Sequence, residues 1–283
     1  MATGGFAGSR DAVKRYAPWM DEYDYYVAGN PKCTGEGHRI VKEAGGYLTH
    51  MNNLWTYVYA TPDYQDPDRQ RALVVRFFPR ANDIWLNGQG QRFHNEDLSG
   101  GFSGTSAVLA QQPAFAWSLN DAAVITSMLV MDPAYTADFS RMHEKKLELL
   151  NKSPFIVSAD SLEALAPKMG LDPETLISTV ARFNKSVDEG QDAEFGRNVK
   201  PLAKIEPPPV IGIKFVPAVR KTLGGVKTNL NCQVLNQHFN PVPGLDAAGE
   251  LAGMAGGHLQ GKASLEGTML GPSIFSGRVA GAW

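Results

Sequence analysis

Glycine is crowded toward the two ends of this chain and sparse between them, and that placement restricts the fold more than any other feature. TGGFAG occupies residues 3–8, TGEG residues 34–37, and a Gly-rich tract runs from Gly244 to Gly281. Without a Cβ, such segments let backbone come close to backbone and reach left-handed conformations. The middle has a different character. FSRMHEKKLELLN at 139–151 and PETLISTVARFNKSVDE at 173–189 carry apolar residues at helical spacing, the second with Pro173 in its first turn and Asp172 as N-cap. Between them, SPFIVSADSLEALAPKMGLD predicts a short strand, a short helix starting near Ser161 and a stop at Gly170.

Pro207, Pro208 and Pro209 fit neither a helix nor a central strand, so they read as a linker with a domain boundary a little beyond. GGVKTNLNCQVLNQHFNPVPGLDAAGE reads as a hairpin and a short buried strand, with turns at Asn229–Asn231 and Pro241–Gly244. The last stretch, ASLEGTMLGPSIFSGRVAGAW, reads as a helix with a kink or break expected near Pro272.

Composition excludes several classes of function. The 283 residues carry 27 Lys plus Arg against 29 Asp plus Glu, a formal charge of -2, which gives no electrostatic reason to expect nucleic acid or an anionic membrane as partner. Cys33 and Cys232 are far apart and lack metal-ligand spacing, so no disulfide and no metal site is expected. The first residues have no leader-like pattern, and no apolar run approaches the roughly 18 residues of a membrane span. A reduced, cytoplasmic protein is the expectation.

Three stretches, in order, resemble the flavoprotein family of fumarate reductases, succinate dehydrogenases, L-aspartate oxidases and ketosteroid dehydrogenases: MATGGF, TGEGHRIVKEAGGYLTHMN, and TLGGVKTN through PGLDAAGELAG to SLEGTMLGPSIFSGRVAG. WLNGQGQRFHNED and TVARFNKSVDEGQDAEFGR are similar to that family's capping domain. The resemblance implies an α/β fold: an incomplete, Rossmann-like FAD-binding domain from residues 1–55 and 219–283, interrupted by an α+β capping (substrate) domain at 56–218. The family's opening Gly-x-Gly-x-x-Gly segment, which seats a pyrophosphate at a helix N-terminus, has no counterpart here. The chain therefore reads as a fragment, as an internal-start reading frame or as one half of a split enzyme that a second chain completes, binding FAD poorly or not at all by itself.

The resemblance also implies roles. Ala2, Thr3 and Gly4, Thr34, Gly35 and Glu36, and Gly249 and Glu250 would lie by the FAD, Glu250 taking its ribityl or ribose hydroxyls. Ala263, Ser264 and Leu265 would open the final helix toward the flavin edge, where backbone N–H groups favour negative charge. Where fumarate and succinate enzymes carry a His, this chain has Lys221; where they carry an Arg after Arg-Phe-x-Asn-Glu, it has Asp97 to Gly101; their second Arg is represented only by His258, Gln260 and Lys262. The expected substrate is accordingly a steroid-like or other apolar ketone, dehydrogenated or reduced at a C–C bond beside its carbonyl. Tyr57 or Tyr59, in an aromatic run that also holds Trp55 and Tyr64, is the candidate acid/base, with Lys221, His258 and Arg92 as alternatives. The rival expectation is a non-catalytic fragment or partner-binding half of a split flavoprotein.

Overall fold

Asp172 accepts a hydrogen bond from the Thr175 N–H at 2.8 Å and so caps the helix Pro173–Glu189, which ends at a left-handed Gly190. Ser161 caps Leu162–Met169 in the same way, and Gly170 ends it, also left-handed. These starts and stops follow the sequence, because a side-chain oxygen satisfies an N–H that the first helical turn leaves open. The helix Met142–Lys152 begins later than its apolar spacing suggests, behind a 3-10 turn at Phe139–Arg141 that Asp138 caps.

The computed structural model describes residues 1–77, 82–98, 102–253 and 269–282. It forms two units, Met1–Thr56 with Ala218–Trp283, and Tyr57–Pro217. No helix among the described residues is long and apolar enough to cross a membrane.

In the first unit, the helix Arg10–Tyr16 buries Ala12 and Val13 against Phe6, Met20, Tyr25 and Val219. Tyr26–Val27 pairs parallel with Ala218–Thr222, which Leu54–Tyr57 flanks on its other side. A second apolar cluster of Val41, Val226, Val234, Ala247 and Leu251 sits under the helix Glu36–Glu43, the pair Gly225–Val226 with Leu48–Thr49, and the hairpin Gln233–Leu235 with Pro241–Asp246. Fully burying an aliphatic or aromatic side chain stabilises by about 1.5–3 kcal/mol, so each cluster holds its layer firmly.

One local expectation fails here. Pro241–Gly244 is not a turn but the first part of the edge strand Pro241–Asp246, where proline's missing N–H is harmless. The turn lies at Asn236–Asn240 instead, closed by the Asn236 Oδ1, which accepts from His238 N–H at 2.9 Å and Asn240 N–H at 3.1 Å. Pro272 lies in the first turn of the helix Leu270–Ala280, a position that needs no intrahelical N–H; the earlier part of the helix expected from Ala263, and so the kink or break expected in it, lies outside the described residues.

The second unit is built on an antiparallel sheet in the order Ile84–Leu86, Ala116–Asn120, Val210–Phe215, Ile156–Ala159. The helices Leu162–Met169 and Pro173–Glu189 pack on it through Leu165, Leu176, Val180 and Phe183, while Ala60–Pro62, Ala72–Phe77 and Met128–Val130 form a smaller sheet. Val210–Phe215, an inner strand of this unit, follows directly on Pro207–Pro209, so the proline run is internal to the unit rather than a linker between units.

Candidate functional site

The Gly-rich segments converge in the first unit. Gly5 is hemmed in by Thr222 and Glu250: a Cβ there would lie 2.3 Å from Thr222 Oγ1 and 2.5 Å from Glu250 Oε1. Thr3 Oγ1 rests against Gly37 and Cys33 Sγ against Gly4, so residues 3–5, 33–37, 222 and 250 share one place in the fold. Gly35, left-handed with φ of 82°, turns the chain into the helix that starts at Glu36. Ala2 is exposed in the segment that enters this cluster, where Ala248 N–H donates to Met1 O at 3.0 Å.

Glu250 opens the 3-10 turn Gly249–Ala252, and its Oε1 accepts from both Thr222 N–H at 2.9 Å and Thr222 Oγ1 at 3.2 Å. Its other oxygen has no hydrogen-bond partner among the described residues, which leaves one acceptor for a hydroxyl. Cys33 is a free thiol pushed above the usual range by burial and then by the charge of Glu250, with the Gly5 N–H acting the other way. The set fits the sugar-alcohol portion of FAD: a fixed carboxylate acceptor beside backbone kept bare of side chains. It offers no phosphate-binding turn of the Gly-x-Gly-x-x-Gly kind.

Beside these side-chain bonds, the turn sits directly against backbone at Gly225. A Cβ on Gly225 would meet Gly253 N at 2.3 Å and Leu251 O at 2.4 Å, neither of which can rotate away. Gly225→Ala is therefore expected to destabilise by about 1–3 kcal/mol through overpacking and to shift Glu250 from its place. Thermal unfolding measures this, and a change within about 0.5 kcal/mol would show that the two segments are not in tight contact.

The proton-transfer candidates fall in both units. Lys221 lies on Ala218–Thr222 with Nζ 5.4 Å from the Trp55 ring centroid. In the second unit, the Tyr57 and Tyr59 rings meet edge to face with centroids 5.1 Å apart; Tyr57 is buried, and Tyr59 Oη accepts from Arg76 Nη1 at 2.7 Å. Arg92 is enclosed, donating to Glu96 at 3.0 and 2.8 Å and to Asp192 at 2.9 Å. Burial disfavours its cation, but Glu96 and then Asp192 outweigh burial and hold it above the ordinary guanidinium range. Such a group keeps its proton, and its geometry is that of a tie between segments. Ala263, Ser264, Leu265 and His258 lie outside the described residues. Thr222, Cys33, Asp192 and Arg197 are not singled out from sequence as site residues: Thr222 opens TLGGVKTN, and Asp192 and Arg197 lie in TVARFNKSVDEGQDAEFGR, but the resemblance of those stretches implies no role for them.

The family described as FAD binding domain matches residues 1–270. The NADH:acrylate oxidoreductase of Vibrio harveyi is 30% identical over 286 residues, covering 99% of this chain and 26% of that protein. A KsdD-like steroid dehydrogenase of Mycobacterium tuberculosis is 29% identical over 327 residues, with 99% of this chain and 57% of the relative covered. Among solved structures, the open conformation of a flavocytochrome c3 fumarate reductase superposes with a TM-score of 0.69 at 26% identity, covering 99% of this chain and 44% of the other. The chain thus spans between about a quarter and three fifths of the length of these relatives.

Proposed function

This chain belongs to the FAD binding domain family, and from that premise we propose that it is part of a flavin-dependent oxidoreductase acting on a C–C bond beside a carbonyl, with an apolar, steroid-like ketone as substrate. FAD, when bound, supplies the hydride acceptor or donor. This chain's own residues supply the rest. Glu250 would hold cofactor hydroxyls through its uncommitted oxygen, with Thr222 fixing the carboxylate, and Ala2–Gly4 and Thr34–Glu36 would keep side chains out of the cofactor's path.

The observation that carries the substrate reading is the state of Arg92. A small dicarboxylate needs cations at both ends, and the guanidinium of Arg92 is bound to Glu96 and Asp192 with a side-chain exposure of 1%. Tyr57 and Tyr59 present apolar ring surface with a phenol, the combination suited to polarising a ketone or moving the proton beside it. Tyr59, half-buried and bonded to Arg76, is the better placed of the two for exchange with solvent. Lys221 and His258 are the alternatives for that step.

A second reading, that other polypeptide completes this unit, is supported by the final helix. Leu270, Ile274 and Phe275 are 70%, 61% and 68% exposed on it, a stripe that water alone covers at a disadvantage. A second chain, or further residues of a longer one, would cover it.

The test is turnover with a dye electron acceptor, comparing a 3-ketosteroid with fumarate; turnover of fumarate alone would sink the substrate reading. Flavin titration tests the cofactor contacts separately. Glu250→Gln is expected to weaken FAD binding by about tenfold, the equivalent of about 1.4 kcal/mol for a lost charge-assisted hydrogen bond. Unchanged affinity would remove Glu250 from the cofactor site.

A further inference from the structure

Three carboxylates and two guanidiniums are shut away together in the unit Tyr57–Pro217. The side chains of Asp83, Glu96 and Asp192 are 8%, 1% and 0% exposed, and those of Arg92 and Arg197 are 1% and 0% exposed. Three carboxylates against two guanidiniums leave an excess of one negative charge if all ionise, and Asp97 at the rim, 3.1 Å from Arg197 Nε, adds another. Buried charge without a partner is heavily disfavoured, and a carboxyl in that position takes up a proton instead.

The contacts single out one of the three. Arg92 serves Glu96 and Asp192, and Arg197 bonds Asp97 and lies 3.4 Å from Glu96. Toward the Asp83 carboxyl Arg197 comes no nearer than 4.0 Å, and the nitrogen at that distance, Nη2, is buried without a hydrogen-bond partner among the described residues. An ionised Asp83 would be drawn across that gap. Its Oδ2 accepts instead from two neutral donors, Trp85 Nε1 at 2.9 Å and Ser118 Oγ at 3.1 Å.

We propose that Asp83 is protonated at neutral pH and that its ionisation loosens the clasp joining residues 83–98 to 192–197. The groups facing it are Trp85 on the adjoining strand Ile84–Leu86, Ser118 on Ala116–Asn120, Glu96 on the turn Glu96–Leu98, and Arg197; Arg92, Asp97 and Asp192 reach it only through these last two. Burial raises the Asp83 carboxyl most; Glu96 adds to that, while Arg197 and the bonds from Trp85 and Ser118 oppose it. With the folded value above the unfolded one, the stabilisation is fully present below the ordinary Asp range and is lost as pH rises through the folded value.

Urea unfolding of the whole chain, wild type beside Asp83→Asn, tests this, since Asn has the size of the protonated acid and cannot ionise. The ratio of the two unfolding constants should rise about tenfold per pH unit above about pH 4, then level off beyond the folded value. Infrared spectra of the carbon-13 Asp-labelled wild type at neutral pH should show a protonated-acid carbonyl band that Asp83→Asn removes. A flat ratio from about pH 5 to about pH 9, or no such band, overturns the proposal. So does an Asp83→Asn chain that fails to fold at neutral pH, while Asp192→Asn, which takes a partner from Arg92, is expected to lower the urea midpoint there.

Discussion

Arg92→Met should lower the stability of the second unit by about 3–5 kcal/mol, the usual result of removing one partner from a buried ion pair. Met has similar length and fills the space, so the loss isolates charge and hydrogen bonding rather than a cavity. Glu96 and Asp192 would each lose a guanidinium, and Arg197 would be left to face Glu96, Asp97 and Asp83 by itself. The rings of Phe183 and Phe195, with centroids 5.4 and 4.9 Å from the guanidinium carbon, would keep an apolar neighbour. Arg92→Lys should also destabilise, because one ammonium cannot hold Glu96 in a fork and still reach Asp192. Asp192→Asn combined with Arg92→Met should recover part of the loss, since it removes a carboxylate that has lost its partner. Chemical denaturation measures all three, and a loss for Arg92→Met below about 1 kcal/mol would mean that the cluster is wetter than it looks.

The helical middle of the chain was legible because its signals are local. Asp172, Pro173, Ser161 and Gly170 each act within one turn, and all occupy the expected places. The Arg92–Asp192 tie was illegible for the opposite reason: its partners stand 100 residues apart, and neither belongs to a pattern that names the other. The hairpin shows a third case, where turn-forming residues are present twice and composition cannot choose. Pro241 and Gly244 look like a turn, yet the turn between the two strands is closed by the Asn236 side-chain oxygen, which collects two N–H groups. Around Glu250, residue resemblance marked the turn, the Gly-rich opening and the TLGGVKTN stretch that Thr222 begins, but not the part Thr222 plays, which lies in its contact with Glu250 across 28 residues of sequence.

Acidification should weaken the first unit, by about 3 kcal/mol between pH 7 and pH 4, through His38. His38 lies on the helix Glu36–Glu43 with no exposed surface, its ring edge-on to Phe6 at 5.6 Å and tilted to Tyr16 at 6.3 Å. Neither ring nitrogen makes a hydrogen bond of ordinary geometry, and the Leu251 backbone opposes the effect of burial only in part. Burial therefore pulls the imidazole down from 6.5 to about 4. Because the folded value is the lower one, protons bind the unfolded chain first: the stabilisation is present above the unfolded value and is lost as pH falls toward 4. Asp83 carries the opposite sign, while His94, pulled down chiefly by burial, carries the same sign as His38 within the second unit. His38→Leu removes both the titration and an unpartnered polar group, and is expected to raise stability at neutral pH by about 1–3 kcal/mol while flattening the acid limb. Urea unfolding at several pH values, read through Trp19 and Trp55 in the first unit, follows both effects. A destabilised His38→Leu at neutral pH would mean that the imidazole has a partner in solution, and the helix that follows Gly35 would then be held by a polar contact instead of apolar packing alone.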